Sequence, residues 1–320
     1  MKNLIYLFLF LFAFLQSANA LIVYNESNSD AQVKYNGTAT TAELSVVNVG
    51  NCSAVYLGNG WFITANHVST KIGAVVSQNG QSTTIDIINN ELNALNSWNA
   101  DLKMFHVADA ENLLSLQAVK ISVDAIDSLQ NTGWTRSWFG GYKLVYGSEL
   151  TLVGAGYGRD ESSALTDTTV NSASATRNVV RSGTAPLMNN EQYLNKSETE
   201  TIAYPFLHTI AEAKDGRTNA LTGDSGGGMF FEYEGDWCLV GIITNVSPAN
   251  ANATTTFASL DYSNDFSETS RTFGIRLDAF AEKINEIIAT PVPESAETAV
   301  VVGLFALIFM RFRRCKGKSE

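Results

Sequence analysis

The chain has 320 residues, 45% of them hydrophobic and 17% charged, and its 32 acidic against 21 basic residues give a formal net charge of −11. Such a balance repels the phosphates of nucleic acid and argues against a nucleic-acid partner. Three cysteines are too few for a disulfide framework, and the length suits one large core or two small ones.

The first twenty residues read as an address. Met1-Lys2-Asn3 precedes an apolar run from Leu4 to Leu15, and Gln16-Ser17-Ala18-Asn19-Ala20 follows it. A basic start, a short apolar stretch and an Ala-x-Ala end make a secretory signal peptide, cut after Ala20.

Further along, Ser53 to Leu57 and Trp61 to Thr64 flank Gly58-Asn59-Gly60, a hairpin signal. Strands are also expected at Ala74 to Val76, Thr83 to Ile88, Leu102 to Val107 and Leu150 to Val153. A second hairpin is expected at Met229 to Tyr233 and Trp237 to Thr244, around Glu234-Gly235-Asp236. The glycines of Thr151 to Gly158 suggest a nucleotide loop, but no helix follows them. The polar stretches Asp160 to Thr176 and Ser247 to Ser270 read as surface loops. Asp261, Asn264 and Asp265 lack the ligand spacing of a calcium loop. The one helix comes late, where Phe280, Ile284, Ile287 and Ile288 recur at helical spacing until Thr290-Pro291. Evenly spread strands with one terminal helix predict an all-β barrel or sandwich design.

Gly223-Asp224-Ser225-Gly226-Gly227 is the stretch richest in chemistry, because glycines around one Ser free the backbone for a tight turn whose amides can face an oxyanion. Alone it also fits the nucleophile elbow of α/β-hydrolases. Those enzymes need a His after the Ser, whereas His67, His106 and His208 all precede Ser225. His67 stands in Phe62-Ile63-Thr64-Ala65-Asn66-His67-Val68, directly after a strand.

This segment resembles the T-A-A-H-C motif of the trypsin family of serine proteases, with Asn66 and Val68 as departures. Ala100-Asp101-Leu102-Lys103-Met104 is similar to the family's D-I-A-L segment, and Gly223 to Gly227 matches G-D-S-G-G in full. The resemblance covers nearly all of residues 21 to 289. It implies two six-stranded antiparallel β-barrels and a C-terminal α-helix. The expected divisions are a signal peptide at 1–20, a first barrel at 21–145 with His67 and Asp101, a second barrel and helix at 146–289 with Ser225, and a tail at 290–320.

The resemblance also implies an endopeptidase working through an acyl-enzyme on a protein or peptide substrate, without a cofactor or metal. His67 is then the general base, Asp101 its orienting partner and Ser225 the nucleophile, with the amides of Gly223 and Ser225 as the oxyanion hole. Asp224 occupies the place that pairs with a new α-amino group, which signal removal would create at Leu21; the alternative is that Leu21-Ile22-Val23 only form the first strand. The pocket floor falls at Asn219, a neutral residue that argues against preference for Lys or Arg, and the wall at Thr244, Asn245 and Val246. Gly228 replaces the Pro that commonly follows the Ser motif. His106 and His208 carry no family motif and read as structural. Cys52 stands where the family has half of a disulfide, but its partner position is Val68, so Cys52 and Cys238 are expected as free, buried thiols. The other reading is a surface or binding protein that keeps the fold without catalysis; the presence of all three triad residues counts against it.

At the far end, Pro291-Val292-Pro293-Glu294-Ser295 precedes an apolar stretch from Thr298 to Met310, and Arg311, Arg313, Arg314, Lys316 and Lys318 follow. This tail resembles the PEP-CTERM sorting signals of some Gram-negative bacteria, with Ser295 in place of the second Pro. The resemblance implies membrane contact through the tail, processing by an exosortase, and a periplasmic, cell-surface or secreted location. A plain single-span anchor is the alternative.

Overall fold

Four pairs of residues with positive φ punctuate the chain: Gly50-Asn51, Asn59-Gly60, Asn79-Gly80 and Glu234-Gly235. A type I′ hairpin turn needs that backbone at both central positions, and its twist matches the right-handed twist of the flanking strands. Each pair sits between two antiparallel strands. The computed structural model describes residues 21–23, 39–95, 99–110, 116–136, 142–155, 157–158, 176–177, 180–193, 205–211, 217–220, 223–247 and 270–292.

After the short strand β1 (Ile22–Val23), the first sheet is built from seven strands. These are β2 (Val46–Val49), β3 (Cys52–Gly58), β4 (Trp61–Thr64), β5 (Val75–Gln78), β6 (Gln81–Thr84), β7 (Ile87–Asn89) and β8 (Lys103–His106). Their order is β6-β5-β2-β3-β4-β8-β7. The two edges are successive stretches of one run of chain, separated by Ile85 and Asp86, so the sheet curls into a half-barrel. Val47, Val49, Ala54, Tyr56, Phe62, Ala65, Phe105 and Val107 fill it. Phe62 stacks on Phe105 with ring centroids 5.1 Å apart and meets Tyr56 at 4.9 Å. Burying one such ring contributes about 2–3 kcal/mol, so these three aromatic residues anchor the half-barrel that carries His67.

The second half follows: β9 (Lys120–Ile121), the hairpin of β10 (Gly133–Arg136) and β11 (Tyr142–Val145), β12 (Glu149–Gly154), the small pair β13 (Tyr157–Gly158) and β14 (Thr176–Arg177), β15 (Arg181–Tyr193), β16 (Pro205–Ile210), β17 (Thr218–Asn219), β18 (Gly228–Tyr233), β19 (Asp236–Ser247) and β20 (Arg271–Arg276). Strands β12, β15, β16, β20 and β19 run side by side, and β18 pairs with both β12 and β19, which closes a six-stranded barrel. Leu150, Leu152, Leu207, Met229, Ile242 and Ile275 are fully buried within it. Strand β9 adds to β19 in parallel, through Cys238 opposite Lys120. The fold is therefore mostly β, trypsin-like, with one closed six-stranded barrel, one half-barrel of seven strands where the resemblance implied six in a closed barrel, and a short C-terminal helix.

That helix begins with a tight turn at Asp278–Phe280 and continues over Ala281–Ala289. The chain divides into two compact units, Met1–Ile284 and Asn285–Glu320, and the first contains both the half-barrel and the barrel. In the second unit, the described residues end the helix: Thr290 donates its amide to the carbonyls of Glu286 and Ile287 and its hydroxyl back to Glu286. No helix among the described residues is long and apolar enough to cross a membrane. The expected signal peptide, the apolar stretch Thr298 to Met310 with its basic end, and Asp261, Asn264 and Asp265 lie outside the described residues.

Candidate active site

Strand β4 ends at Thr64, and the next turn presents His67 at the half-barrel's rim, half-exposed. Asp101 precedes the neighbouring strand β8, which pairs with β4 through Thr64 opposite Lys103. This register brings the two side chains together. Nδ1 of His67 lies 2.6 Å from Oδ2 of Asp101, and the His67 main-chain amide donates to Oδ1 at 2.8 Å. The amide of Asn66 donates to the Asp101 carbonyl at 3.1 Å. One carboxylate thus fixes both the ring and the backbone of His67, and leaves Nε2 as the ring nitrogen available for proton exchange.

Ser225 belongs to the other half of the chain, on the turn before β18, and two contacts, through Ser225 and Gly226, dock that turn onto β3 and β4. The Ser53 amide donates to the Ser225 carbonyl at 2.9 Å. The Thr64 hydroxyl donates to the Ser53 carbonyl at 2.7 Å. Gly226, with φ of +85°, is pressed against both groups, so that a Cβ there would overlap the Ser53 carbonyl and the Thr64 hydroxyl. The Ser225 turn is therefore fastened to the strand end that leads into His67. Among the described residues no hydrogen bond joins the Ser225 hydroxyl to the His67 ring; such bonds are often long before substrate arrives. Gly226 donates its amide to Ile243 at 2.7 Å and Gly227 donates to Asp224 at 2.8 Å, whereas the amides of Gly223 and Ser225 find no acceptor among the described residues.

A family model for trypsin matches residues 28–266. The chain belongs to the trypsin family. No curated protein matches it. Membership makes it a serine-protease-like protein, and the remaining predicted residues can be placed within that family's frame.

Asp224 is fully buried against Gly154, where a Cβ would overlap its carboxylate. Opposite Gly154 in the β12–β15 ladder stands Arg181, also buried. Burial pulls the Arg181 guanidinium down to about 10, against the opposing pull of the Asp224 charge. Leu21 is buried, and Ile22 and Val23 pair with Asn219 and Thr218. Asn219 accepts the Thr272 hydroxyl on its Oδ1 at 3.0 Å and donates from Nδ2 to the Ala220 carbonyl at 2.8 Å. Thr272 is the cross-strand partner of Val246, and Asn245 faces Phe273 in the same ladder. Asn219 and Val246 are thus connected through Thr272, a residue that no sequence motif pointed to. Thr244 is buried, and its hydroxyl finds no partner among the described residues. At Gly228, a Cβ would overlap the tip of the Phe230 ring.

The other histidines lie elsewhere. His106 bonds through Nδ1 to both Asp86 oxygens, at 2.9 and 3.1 Å, and packs its ring edge on Trp61. His208 is buried and stacked on Phe273, and burial pushes its imidazole down to about 4, with the Arg271 charge adding to the shift. Cys52 and Cys238 are free thiols; Cys238 is fully buried and Cys52 partly so. Burial, reinforced by the Asp224 charge and opposed by Lys103, raises Cys52 to about 11. Among the described residues no group of three or more His, Cys, Asp or Glu is placed to hold a metal ion.

Lys103 lies near the site without being a motif residue of the family, and its signal in the sequence is a lysine set between Leu102 and Met104 in an apolar run.

Proposed function

We propose that the chain is an exported serine endopeptidase, with His67, Asp101 and Ser225 as its triad. The observation that carries this reading is the double grip of Asp101 on His67, through Nδ1 at 2.6 Å and the main-chain amide at 2.8 Å, beside the docked Ser225 turn. A Ser hydroxyl is a poor nucleophile near neutral pH. His67 takes its proton on Nε2 while Ser225 Oγ bonds to the scissile carbonyl carbon. The imidazolium is stabilised by Asp101. The oxyanion that forms is met by the amides of Gly223 and Ser225, a contribution of roughly 3 kcal/mol per donor. Collapse breaks the C–N bond, the leaving amine takes the proton from His67, and water then hydrolyses the acyl-enzyme by the same steps in reverse roles.

Export rests on Met1 to Ala20, with its basic start and Ala-x-Ala end. Removal of that segment exposes the α-amino group of Leu21, and the burial of Leu21 beside the β1–β17 pair supports its approach to Asp224. One extra residue ahead of Leu21 then abolishes turnover; unchanged turnover rejects this activation route. The Pro-Glu pair, short apolar stretch and basic end of the tail support PEP-CTERM sorting, exosortase processing and membrane contact, with a periplasmic, cell-surface or secreted location.

The direct test is incubation with a denatured protein substrate. Wild type cuts it, and Ser225→Ala or His67→Ala loses about 10⁶-fold in kcat. Equal cleavage by the Ser225→Ala variant rejects the assignment.

A further inference from the structure

Lys103, the first residue of β8, is only 6% exposed and stands between Leu102 and Met104, both at 0%. Burying an ammonium is costly unless its donors are satisfied, and the acceptors chosen here are informative. Nζ donates to the carbonyl of Asn66 at 2.9 Å and to the carbonyl of Val68. These are the two carbonyls on either side of His67. Val68 also accepts the Thr70 amide at 2.8 Å, so the turn is anchored beyond the histidine as well.

The face on which Lys103 lies matters as much as its partners. Its cross-strand neighbour is Thr64, and paired residues of an antiparallel ladder project to the same side of the sheet. On that side the Thr64 hydroxyl contacts Gly226 of the Ser225 turn. Lys103 therefore stands where the strand ends bearing His67 and Asp101 meet that turn. The charged or titratable groups acting on it are the Asp101 carboxylate and the Cys52 thiol; both favour its charge, against the stronger effect of burial, which lowers its pKa. Asp101 and Lys103 grip one short segment from two directions. Asp101 takes the amides of Asn66 and His67 and the His67 ring, and Lys103 takes the carbonyls of Asn66 and Val68.

We infer that Lys103 is a positioning residue for catalysis: its ammonium clamps the Asn66 and Val68 carbonyls and so holds the His67 ring in line between Asp101 and the Ser225 turn. The inference rests on the endopeptidase reading above and adds a residue that the triad itself does not include. A positioning role predicts a specific kinetic signature. Misplacing the base slows the chemical step and leaves substrate binding nearly untouched.

The test uses the full chain and a chromogenic peptide substrate, with kcat and KM measured separately for wild type, Lys103→Met and Lys103→Arg. The Met side chain keeps the stem and loses the donors. Its kcat is expected to fall about tenfold to a hundredfold with KM within about twofold. Amide hydrogen exchange at His67 and Val68 speeds up in the same variant, a readout that does not depend on activity. Lys103→Arg, which keeps a cation on the strand, recovers most of the lost kcat and decides the matter if the Met variant does not fold. Gln78→Leu serves as the control: Gln78 Nε2 ties the Leu44 and Val46 carbonyls in the same sheet, so its loss lowers Tm and leaves kcat unchanged. Wild-type kcat in Lys103→Met, unchanged exchange at His67 and Val68, or an Arg variant no better than Met overturns the inference. A wild-type chain inert toward all substrates sinks the endopeptidase reading and this inference with it. Wild-type turnover matched by Lys103→Met sinks this inference alone.

Discussion

The α-carbon of Gly226 rests against the Thr64 hydroxyl, with no room between them for a methyl group. This contact joins the turn that carries Ser225 to the strand that leads into His67, and it depends on a residue without a side chain at a φ of +85°.

Gly226→Ala should therefore be costly twice. The left-handed backbone disfavours Ala, and the new methyl displaces the turn from Ser53 and Thr64, at a combined cost of about 1–3 kcal/mol or more. Turnover falls about a hundredfold as Ser225 moves from its docked position. Thermal unfolding and steady-state kinetics measure the two effects; a variant with wild-type turnover would show that docking at Gly226 does not position Ser225.

Asp101→Asn keeps the shape of the side chain and can still accept the His67 amide. It replaces the acceptor at Nδ1 with a group able to favour the wrong tautomer, so kcat drops about 10⁴-fold while the fold is retained. Kinetics beside a circular dichroism spectrum decide this, and a loss of tenfold or less would mean that Asp101 does not orient the base.

These contacts also show what could be read in advance. The hairpins at Gly58-Asn59-Gly60 and Glu234-Gly235-Asp236 were legible because their turn residues must adopt positive φ, and that requirement is local. The strands Arg181–Tyr193 and Pro205–Ile210 were not. The first bends through register shifts at Leu187, Asn189 and Gln192, and the second is buried at every position, so neither shows the alternation of a half-exposed strand. The expected strand Thr83 to Ile88 is divided at Ile85 and Asp86, where the chain changes partner from β5 to β8. For the site, motif residues could be named from sequence. The ties between Ser53 and Ser225, Thr272 and Asn219, and Lys103 and the His67 turn are contacts between distant segments, and no local spacing encodes them.

His208 offers a test by acid. Its imidazole titrates near 6.5 in an unfolded chain and near 4 in the fold, where burial opposes charging. Above pH 6.5 it is neutral in both states and makes no difference. As pH falls from 6.5 towards 4, the unfolded chain takes up a proton that the folded chain refuses, and stability drops by up to about 3 kcal/mol. His208→Phe, which can still stack on Phe273, removes that part of the acid sensitivity. Unfolding midpoints at pH 7.5 and 4.5 report it; equal losses in wild type and variant would contradict a buried neutral His208.

At Asn219 the side-chain amide is committed to Thr272 and the Ala220 carbonyl, and it carries no charge to attract a cationic side chain. Cleavage of a peptide library should show an uncharged residue before the scissile bond. Strong preference for Lys or Arg there would remove Asn219 from the floor of the pocket.

The central claim is that Ser225 is a nucleophile activated by the Asp101-bound His67, and a fluorophosphonate probe measures this most directly. With the full chain, peptide mass analysis should find a single phosphonyl adduct on Ser225, lost in Ser225→Ala and slowed at least a thousandfold in His67→Ala. An unlabelled wild-type Ser225, or labelling that proceeds equally fast without His67, would contradict the account.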